Sequence, residues 1–190
     1  MTDFLKLSIK ARELKPKKVV KDIRRSGDIP AVVYDKNSTP RHVTIDGTEF
    51  RTHMRHIEKG FLPTTRFLLK DEDGKEIPVI VKDIQYNIIS YDVIHLDLLQ
   101  LDDNRPVNVK VPLVFTNTMD CTGIKLGGVF RVISRYAQVR SLPQNIPSCL
   151  ELDIKDLSIG QSMRFSKLSV PENIDLLTDK NDVAVVIARR

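Results

Sequence analysis

The sequence has few of the residues that build disulfide-rich, zinc-binding or membrane-spanning proteins. Its 190 residues include only two cysteines, Cys121 and Cys149. Two cysteines cannot supply the dense framework of a small secreted domain or the paired clusters of a structural zinc site. No apolar run approaches the roughly 18–20 residues that a membrane-spanning helix needs. The first residues also lack a basic segment followed by an apolar block, so we expect a cytoplasmic protein with no secretory signal and no membrane partner.

Motifs of catalysis and cofactor binding are missing as well. The chain contains no nucleophile elbow, no Cys–His signature and no P-loop. Gly127 and Gly128 are too weak a signal for a phosphate-binding loop and predict a tight turn instead. We therefore expect no cofactor, no small-molecule substrate and no enzymatic activity.

The length and composition are those of a folded chain with two modest domains. A chain of 190 residues exceeds the usual single-domain size of about 100–150 residues. Hydrophobic residues make up 41% of the chain and charged residues 29%. This balance supports a buried core and argues against disorder.

The positive charge is concentrated in the first third of the chain. The formal net charge is +5, but residues 1–66 carry 15 Lys and Arg against 8 Asp and Glu, whereas residues 67–100 carry 3 against 7. Within residues 10–25, eight basic residues stand against two acidic ones. Lys and Arg gain by releasing counterions from phosphates, so a nucleic acid is the natural partner of this segment. A solvated basic loop is the alternative that charge alone leaves open.

Hydrophobic patterning predicts a small β-barrel or sheet in the first hundred residues. Residues 17–26 place apolar side chains at helical spacing, and residues 46–59 begin with Asp46 and Glu49 in a capping-box pattern. An acidic turn at residues 71–74 joins two strands as a hairpin. The predicted strands, several of which alternate apolar and polar residues, are residues 5–11, 30–34, 41–45, 66–70, 77–81 and 91–98.

A polar, proline-containing segment at residues 101–106 is the best candidate for a domain boundary. It predicts a first domain at residues 1–100 and a second at residues 101–190. The second domain is again rich in strands, predicted at residues 107–115, 129–133, 137–142, 150–154 and 183–188. The expected fold class is mainly β: an N-terminal small β-barrel with one or two helices, followed by a second β-rich domain.

His95 and Asp97 form an unusual polar pair inside an apolar strand, and alternation puts both on one face. Four interpretations are open. A metal site needs further ligands at a suitable spacing, and a catalytic dyad needs a nucleophile or a substrate cleft. In nucleic-acid recognition, the imidazole donates to a phosphate or 2′-OH and the carboxylate accepts from a guanine amino group or a ribose hydroxyl. The fourth is a structural pair on a barrel wall.

Two other features allow both a structural and a recognition role. Tyr34 ends a predicted strand. There it can stack on a base, or it can pack its ring against the rim of the barrel with its hydroxyl exposed to solvent. The helix predicted at residues 46–59 carries Arg51, His53 and Arg55 away from its apolar stripe, which is typical of an ordinary solvated basic face.

Taken in order, these segments resemble the bacterial large-subunit ribosomal protein twenty-five family. Its opening is matched by Arg12 and by residues 24–34, RRSGDIPAVVY, and its second stretch by Gln85 and His95-Leu96-Asp97. The family's long, two-domain form is also called the general stress protein CTC. That form is matched by GIKLGGV, LPQNIP, LDI and LSIG at residues 123–129, 142–147, 152–154 and 157–160.

The resemblance implies a ribosome-bound structural constituent of the large subunit. It implies binding to 5S ribosomal RNA at the loop E region in the central protuberance, beside other large-subunit components. Positions that contact RNA in the family are matched by Arg12, Arg24, Tyr34, His95 and Asp97, with Lys17 and Gln85 as further contacts. Together with the local charge, this makes the candidate RNA-binding residues Arg12, Lys17, Lys18, Lys21, Arg24, Arg25, Tyr34, Gln85, His95 and Asp97.

The chain departs from the family's pattern at two places. Pro16-Lys17-Lys18 replaces Gly-Lys-Gly, which makes the basic loop stiffer and more basic, and Asp35 replaces a glycine after Tyr34, which adds negative charge near the expected site. The family's second name also leaves an alternative open. In that alternative, the protein acts partly off the ribosome in stress, through protein interactions of residues 101–190.

Overall fold

The chain folds into two compact units, Met1–Arg105 and Pro106–Arg190, with the boundary between Arg105 and Pro106. The computed structural model describes residues 4–12, 17–35, 39–71 and 74–189. Over these residues no helix is both long and apolar enough to cross a membrane. Each unit has its own sheets and is described separately.

Six strands of the first unit close into a barrel, which confirms the predicted fold class. They are β1 (Leu5–Ala11), β2 (Ile29–Tyr34), β3 (Arg41–Ile45), β4 (Arg66–Lys70), β5 (Glu76–Tyr86) and β6 (Val93–Gln100). Their order around the barrel is β1-β3-β2-β6-β5-β4, and β4 pairs again with β1. The β1–β4 and β2–β6 pairs are parallel, and the other pairs are antiparallel. Closure leaves no open sheet edge among the described strands of this unit.

Two helices connect barrel strands where the sequence predicts them, α1 (Lys17–Ser26) and α2 (Gly47–His56). Gly27 follows α1 with a φ of +92°, a left-handed conformation that glycine adopts without a Cβ penalty. The N–H of Asp28 then reaches back to the carbonyl of Ile23 at 3.2 Å. This Schellman-type ending turns the chain directly into β2.

The predicted capping box of α2 is only half formed. Oδ1 of Asp46 accepts from the backbone N–H groups of Thr48 at 2.7 Å and Glu49 at 3.2 Å. The Glu49 carboxylate turns to β1 instead, where it accepts from the N–H of Ser8 at 2.8 Å and its hydroxyl at 3.0 Å. The helix was expected to reach residue 59, but the backbone becomes extended at Ile57.

The interior of the barrel is filled by alternate strand residues. Leu7 and Ile9 of β1 are buried, whereas their neighbours Lys6, Ser8 and Lys10 are not. Phe50 of α2 is fully buried in the same cluster of core residues. Met54 and Ile57 pack against that cluster. Burial of this apolar surface is the main force that holds the barrel together. The other buried members of the cluster are Ile29, Ala31, Val33, Val43, Ile45, Leu62, Phe67, Leu69, Ile77, Val79, Val81, Leu96 and Leu98.

The second unit contains two sheets and is β-rich, as predicted. A four-stranded sheet has the order β10-β7-β9-β12, and a three-stranded sheet has the order β11-β13-β8. Their strands are β7 (Val107–Thr116), β8 (Val129–Val132), β9 (Tyr136–Ser141), β10 (Leu150–Asp153), β11 (Ser162–Arg164), β12 (Ile174–Leu176) and β13 (Val183–Ala188), with a short helix α3 (Thr122–Lys125). The prediction missed β11 and β12, because three-residue strands are too short to show an alternating pattern.

The two helices of the first unit meet through a contact between glycines. A Cβ atom on Gly47 would lie 1.9 Å from the carbonyl oxygen of Gly27. The Arg51 side chain also donates to that carbonyl, at 3.4 Å. The absence of a side chain at Gly47 therefore allows the start of α2 to rest directly on the end of α1.

We expect Gly47→Ala to lower the free energy of unfolding by about 1–3 kcal/mol, the usual cost of forcing atoms into a packed site. The added methyl group meets backbone, which cannot rotate away. Urea denaturation measures the change. The control is Thr48→Ala at the exposed neighbouring position, expected within about 0.5 kcal/mol of the parent. Equal stability of all three proteins would contradict the close approach of the two glycines.

Candidate nucleic-acid interface

A β-bulge in β5 determines which of its residues face outward. Before the bulge, the buried Val81 lies opposite the buried Leu98. After it, Asp83 lies opposite Asp97. Between these two pairs, β5 advances by two residues while β6 advances by one. The extra residue, Lys82, reverses the alternation of β5 from this point. Without the bulge, Asp83 would point into the apolar interior.

Beyond the bulge, two cross-strand pairs form a polar patch on the outside of the β5–β6 hairpin. Asp83 lies opposite Asp97, and Gln85 lies opposite His95. We call these four residues the polar patch. The sequence predicted three of these residues as site residues but not Asp83. The apolar alternation stops after Val81, so β5 was predicted to end there, whereas the strand continues through the bulge to Tyr86. The same break in alternation was the one available signal of a bulge.

His95 and Asp97 contact each other along β6, as their alternation predicts. Nδ1 of His95 lies 2.8 Å from Oδ1 of Asp97, and the side chains are 20% and 36% exposed. The distance suits an ion pair when the imidazole is protonated, but the buried Nδ1 is not aligned for a hydrogen bond. The pair is therefore a close electrostatic contact that leaves Asp97 accessible as an acceptor.

Tyr34 lies beside the polar patch at the end of β2. Its strand runs parallel to β6, with Val32 opposite Asp97. Burial raises the pKa of the Tyr34 phenol, and the negative charges of Asp97 and Asp83 raise it further. The hydroxyl is protonated at neutral pH, as that of an ordinary tyrosine is, and it can both donate and accept a hydrogen bond.

Arg12 and Arg24 bring two guanidinium groups into the same region. Nε of Arg12 donates to the carbonyl of Val43 at 3.2 Å, and Nε of Arg24 donates to the carbonyl of Ile94 at 2.9 Å. Burial lowers the pKa of Arg12, and the positive charge of Arg24 lowers it further. The ion pairs found among the described residues involve neither arginine. Two nearby cations held by backbone carbonyls favour an anion between or beside them.

The remaining basic candidates project from one face of α1. Counted at 3.6 residues per turn, Lys17, Lys18, Lys21, Arg24 and Arg25 fall within about a third of the helix circumference. All five are exposed, whereas the apolar residues of α1 on the opposite side are half-buried. Arg25 and Asp22 form a surface ion pair at 3.6 Å, which contributes little to stability. The helix therefore presents a cationic face to solvent.

The negative charge of Asp35, expected to lie near the site because Asp35 follows Tyr34, is partly balanced by an arginine. Its carboxylate lies 3.9 Å from Nη1 of Arg105, whose Nε lies 3.3 Å from Asp102. The predicted turn at residues 35–38 is described only at Asp35, and residues 13–16, where Pro16 was expected to stiffen the basic loop, lie outside the described residues.

Two further histidines of the first unit make structural contacts. Nε2 of His53 lies 2.8 Å from the carbonyl of Lys6, and its ring meets Phe67 edge-on. Nδ1 of His56 lies 2.8 Å from the carbonyl of Thr52 in its own helix. These contacts agree with the interpretation of α2 as an ordinary amphipathic helix. In the described part of the chain, no group of three His, Cys, Asp or Glu residues is placed to hold a metal ion.

We expect Asp97→Asn to lower the pKa of Tyr34 towards the usual tyrosine range, because the substitution removes one of the two nearby negative charges. Burial still keeps the value above normal. NMR titration of ring-labelled tyrosine measures the shift, with Glu58→Gln on the exposed surface just after α2 as the charge-matched control. If neither Asp97→Asn nor Asp83→Asn moves the Tyr34 titration, the placement of these carboxylates is wrong.

Comparisons with known proteins agree with the two-unit architecture. A family model described as "Ribosomal L25p family" matches residues 7–98, and one described as "Ribosomal protein TL5, C-terminal domain" matches residues 106–190. Proteins named "Large ribosomal subunit protein bL25" are similar along almost the whole chain. Those of Chlamydia muridarum (strain MoPn / Nigg) and Chlamydia pneumoniae are 41% and 38% identical over 186 residues, covering 98% of this chain and 100% of theirs. The chain therefore belongs to the ribosomal L25p family, in the long form that carries a TL5-type C-terminal domain.

Proposed function

We propose that this chain binds 5S ribosomal RNA, at its loop E region in the central protuberance, through the outer face of the first unit. Membership of the family makes it a structural protein of the large ribosomal subunit rather than an enzyme. The observation that carries the RNA proposal is the placement of Arg12 and Arg24, which form no ion pair with the described residues, beside a polar patch on one barrel surface.

In this proposal, the two arginines and the cationic face of α1 bind the phosphate backbone. Arg12 and Arg24 each donate Nε–H to a backbone carbonyl, which holds the guanidinium against the barrel. A preorganised guanidinium binds a phosphate with two parallel hydrogen bonds. Lys17, Lys18 and Lys21 add longer-range attraction from α1. Such contacts set the position of the protein on the RNA but read no sequence.

The polar patch and Tyr34 provide the means to read base edges and ribose hydroxyls. Gln85 and Tyr34 can donate and accept, His95 supplies an imidazole, and Asp97 accepts. The wide, shallow minor groove of RNA exposes both base edges and 2′-hydroxyls to such side chains. The carboxylates also repel phosphates, which keeps the backbone on the arginine side of the surface.

All of these proposed RNA contacts lie in the first domain, residues 1–100. The domain at residues 101–190 then remains free to contact other components of the large subunit. Ribosome-bound protein should sediment with the large subunit in a sucrose gradient. A protein acting mainly in stress off the ribosome would stay in the light fractions.

We expect the full chain to bind 5S ribosomal RNA more tightly than a random RNA of equal length. Arg12→Ala and Arg24→Ala should each make the negative slope of log K against log salt shallower by roughly 0.7–0.9 for every phosphate that the variant no longer neutralises. Filter binding over a range of salt concentrations measures both quantities. The control is Arg55→Ala, an exposed arginine of α2 that is not among the proposed RNA contacts. Equal affinity for the two RNAs would refute the proposal, and unchanged slopes would refute the role of the arginines.

We expect Asp97→Asn to weaken 5S RNA binding by about 1–3 kcal/mol, the size of one good base-specific contact. The substitution keeps the shape of the side chain but replaces one of its acceptor oxygens with a donor. Glu58→Gln provides the matched charge control. Affinity equal to that of the parent would show that Asp97 does not read the RNA.

A further inference from the structure

The turn that joins β5 to β6 exposes three large apolar side chains. Ile88, Ile89 and Tyr91 are 89%, 91% and 79% exposed. We call residues 87–92 the hairpin tip. Turns are usually built from small and polar residues, so adjacent isoleucines at this position are not explained by the turn itself. Exposed apolar clusters of this kind mark interaction sites.

The hairpin tip has a well-defined conformation. The N–H of Asn87 donates to the carbonyl of Asp92 at 2.8 Å, and the N–H of Tyr91 donates to the carbonyl of Asn87 at 2.9 Å. The side-chain oxygen of Asn87 also accepts from the N–H of Ile89 at 2.9 Å. A tip closed by its own hydrogen bonds has little backbone entropy left to lose on binding.

The composition of the tip itself argues against RNA as its partner. Asp92 is the one charged residue in the hairpin tip, residues 87–92, and none of its residues is a lysine or an arginine. The tip therefore has no cation to neutralise a phosphate, and Asp92 at its base repels one. Tyr91 has an aromatic face, but the two isoleucines beside it offer neither hydrogen bonds nor an aromatic face with which to hold bases. Two isoleucines are best buried against other apolar side chains.

We propose that the hairpin tip docks into an apolar pocket on another protein of the large ribosomal subunit, with Ile88 and Ile89 as anchors and Tyr91 at the pocket edge. A basic group on the rim of that pocket would complement Asp92. The tip follows directly after the Gln85–His95 pair of the polar patch. A barrel bound to RNA through the patch, as proposed above, would therefore extend the tip past the edge of the RNA, towards a neighbour.

Photo-crosslinking in assembled subunits tests the nature of the partner. The photoreactive residue p-benzoylphenylalanine replaces Ile89 in the full chain, and large subunits isolated from cells are irradiated. We expect an adduct with another subunit protein that resists nuclease. The control places the same residue at exposed Glu76, at the opposite end of β5, where this adduct should be absent. An adduct with RNA, an adduct between two copies of this chain, or no adduct at position 89 would overturn the proposal.

A double substitution tests the energetic role of the tip. Ile88→Ser with Ile89→Ser leaves the hydrogen bonds of the turn in place and should leave 5S RNA affinity within about twofold of the parent. Retention on large subunits during a salt wash should fall by roughly tenfold, as expected when anchor side chains of a protein interface are truncated. The control is Ile133→Ser, at an isoleucine of the second unit that is 60% exposed. Retention equal to that of the parent would overturn the proposal, whatever the result with RNA.

Discussion

Closure of the six-stranded barrel is the constraint on which the surface of the first unit depends. Once β4 pairs with β1, every strand residue faces either the apolar interior or the outside. Slipping a strand by one residue would bury charges and expose the core, so the register is strongly specified. The bulge at Lys82 reverses this assignment within β5, and it brings Asp83 and Gln85 to the outer face. The polar patch is thus built on a rigid wall.

The sign of charge separates two kinds of surface on this unit. The cations lie at the end of β1 and along α1, where Arg12 and Arg24 are fixed by backbone carbonyls. The carboxylates lie on the β5–β6 hairpin, which has no lysine or arginine from position 83 to position 100. Phosphates are attracted to the first surface and repelled by the second. Base edges, hydroxyls and apolar protein surfaces are the partners that remain compatible with the hairpin.

Elements of the first unit were predicted well where the pattern is local. The bounds of α1 and β3 agree with the expected residues 17–26 and 41–45, because helical spacing and the Gly27 ending define the first, and apolar alternation defines the second. The end of α2 was placed three residues too late, because Ile57 reaches the barrel core from an extended backbone rather than a helical one. The length of β5 was underestimated, because its bulge interrupts the alternation that marks a strand.

The sequence by itself determined the β-rich class, the concentration of positive charge near the start, and the shared face of His95 and Asp97. Each follows from composition or from a two-residue repeat, which needs no knowledge of distant neighbours. Only the tertiary structure decided that Arg12 approaches Arg24, that Asp83 lies opposite Asp97, and that Ile88 and Ile89 stay outside the core. These depend on strand register and on packing between elements far apart in the chain. Non-local pairing of that kind leaves no repeat in the sequence, so it becomes visible only once the barrel is closed.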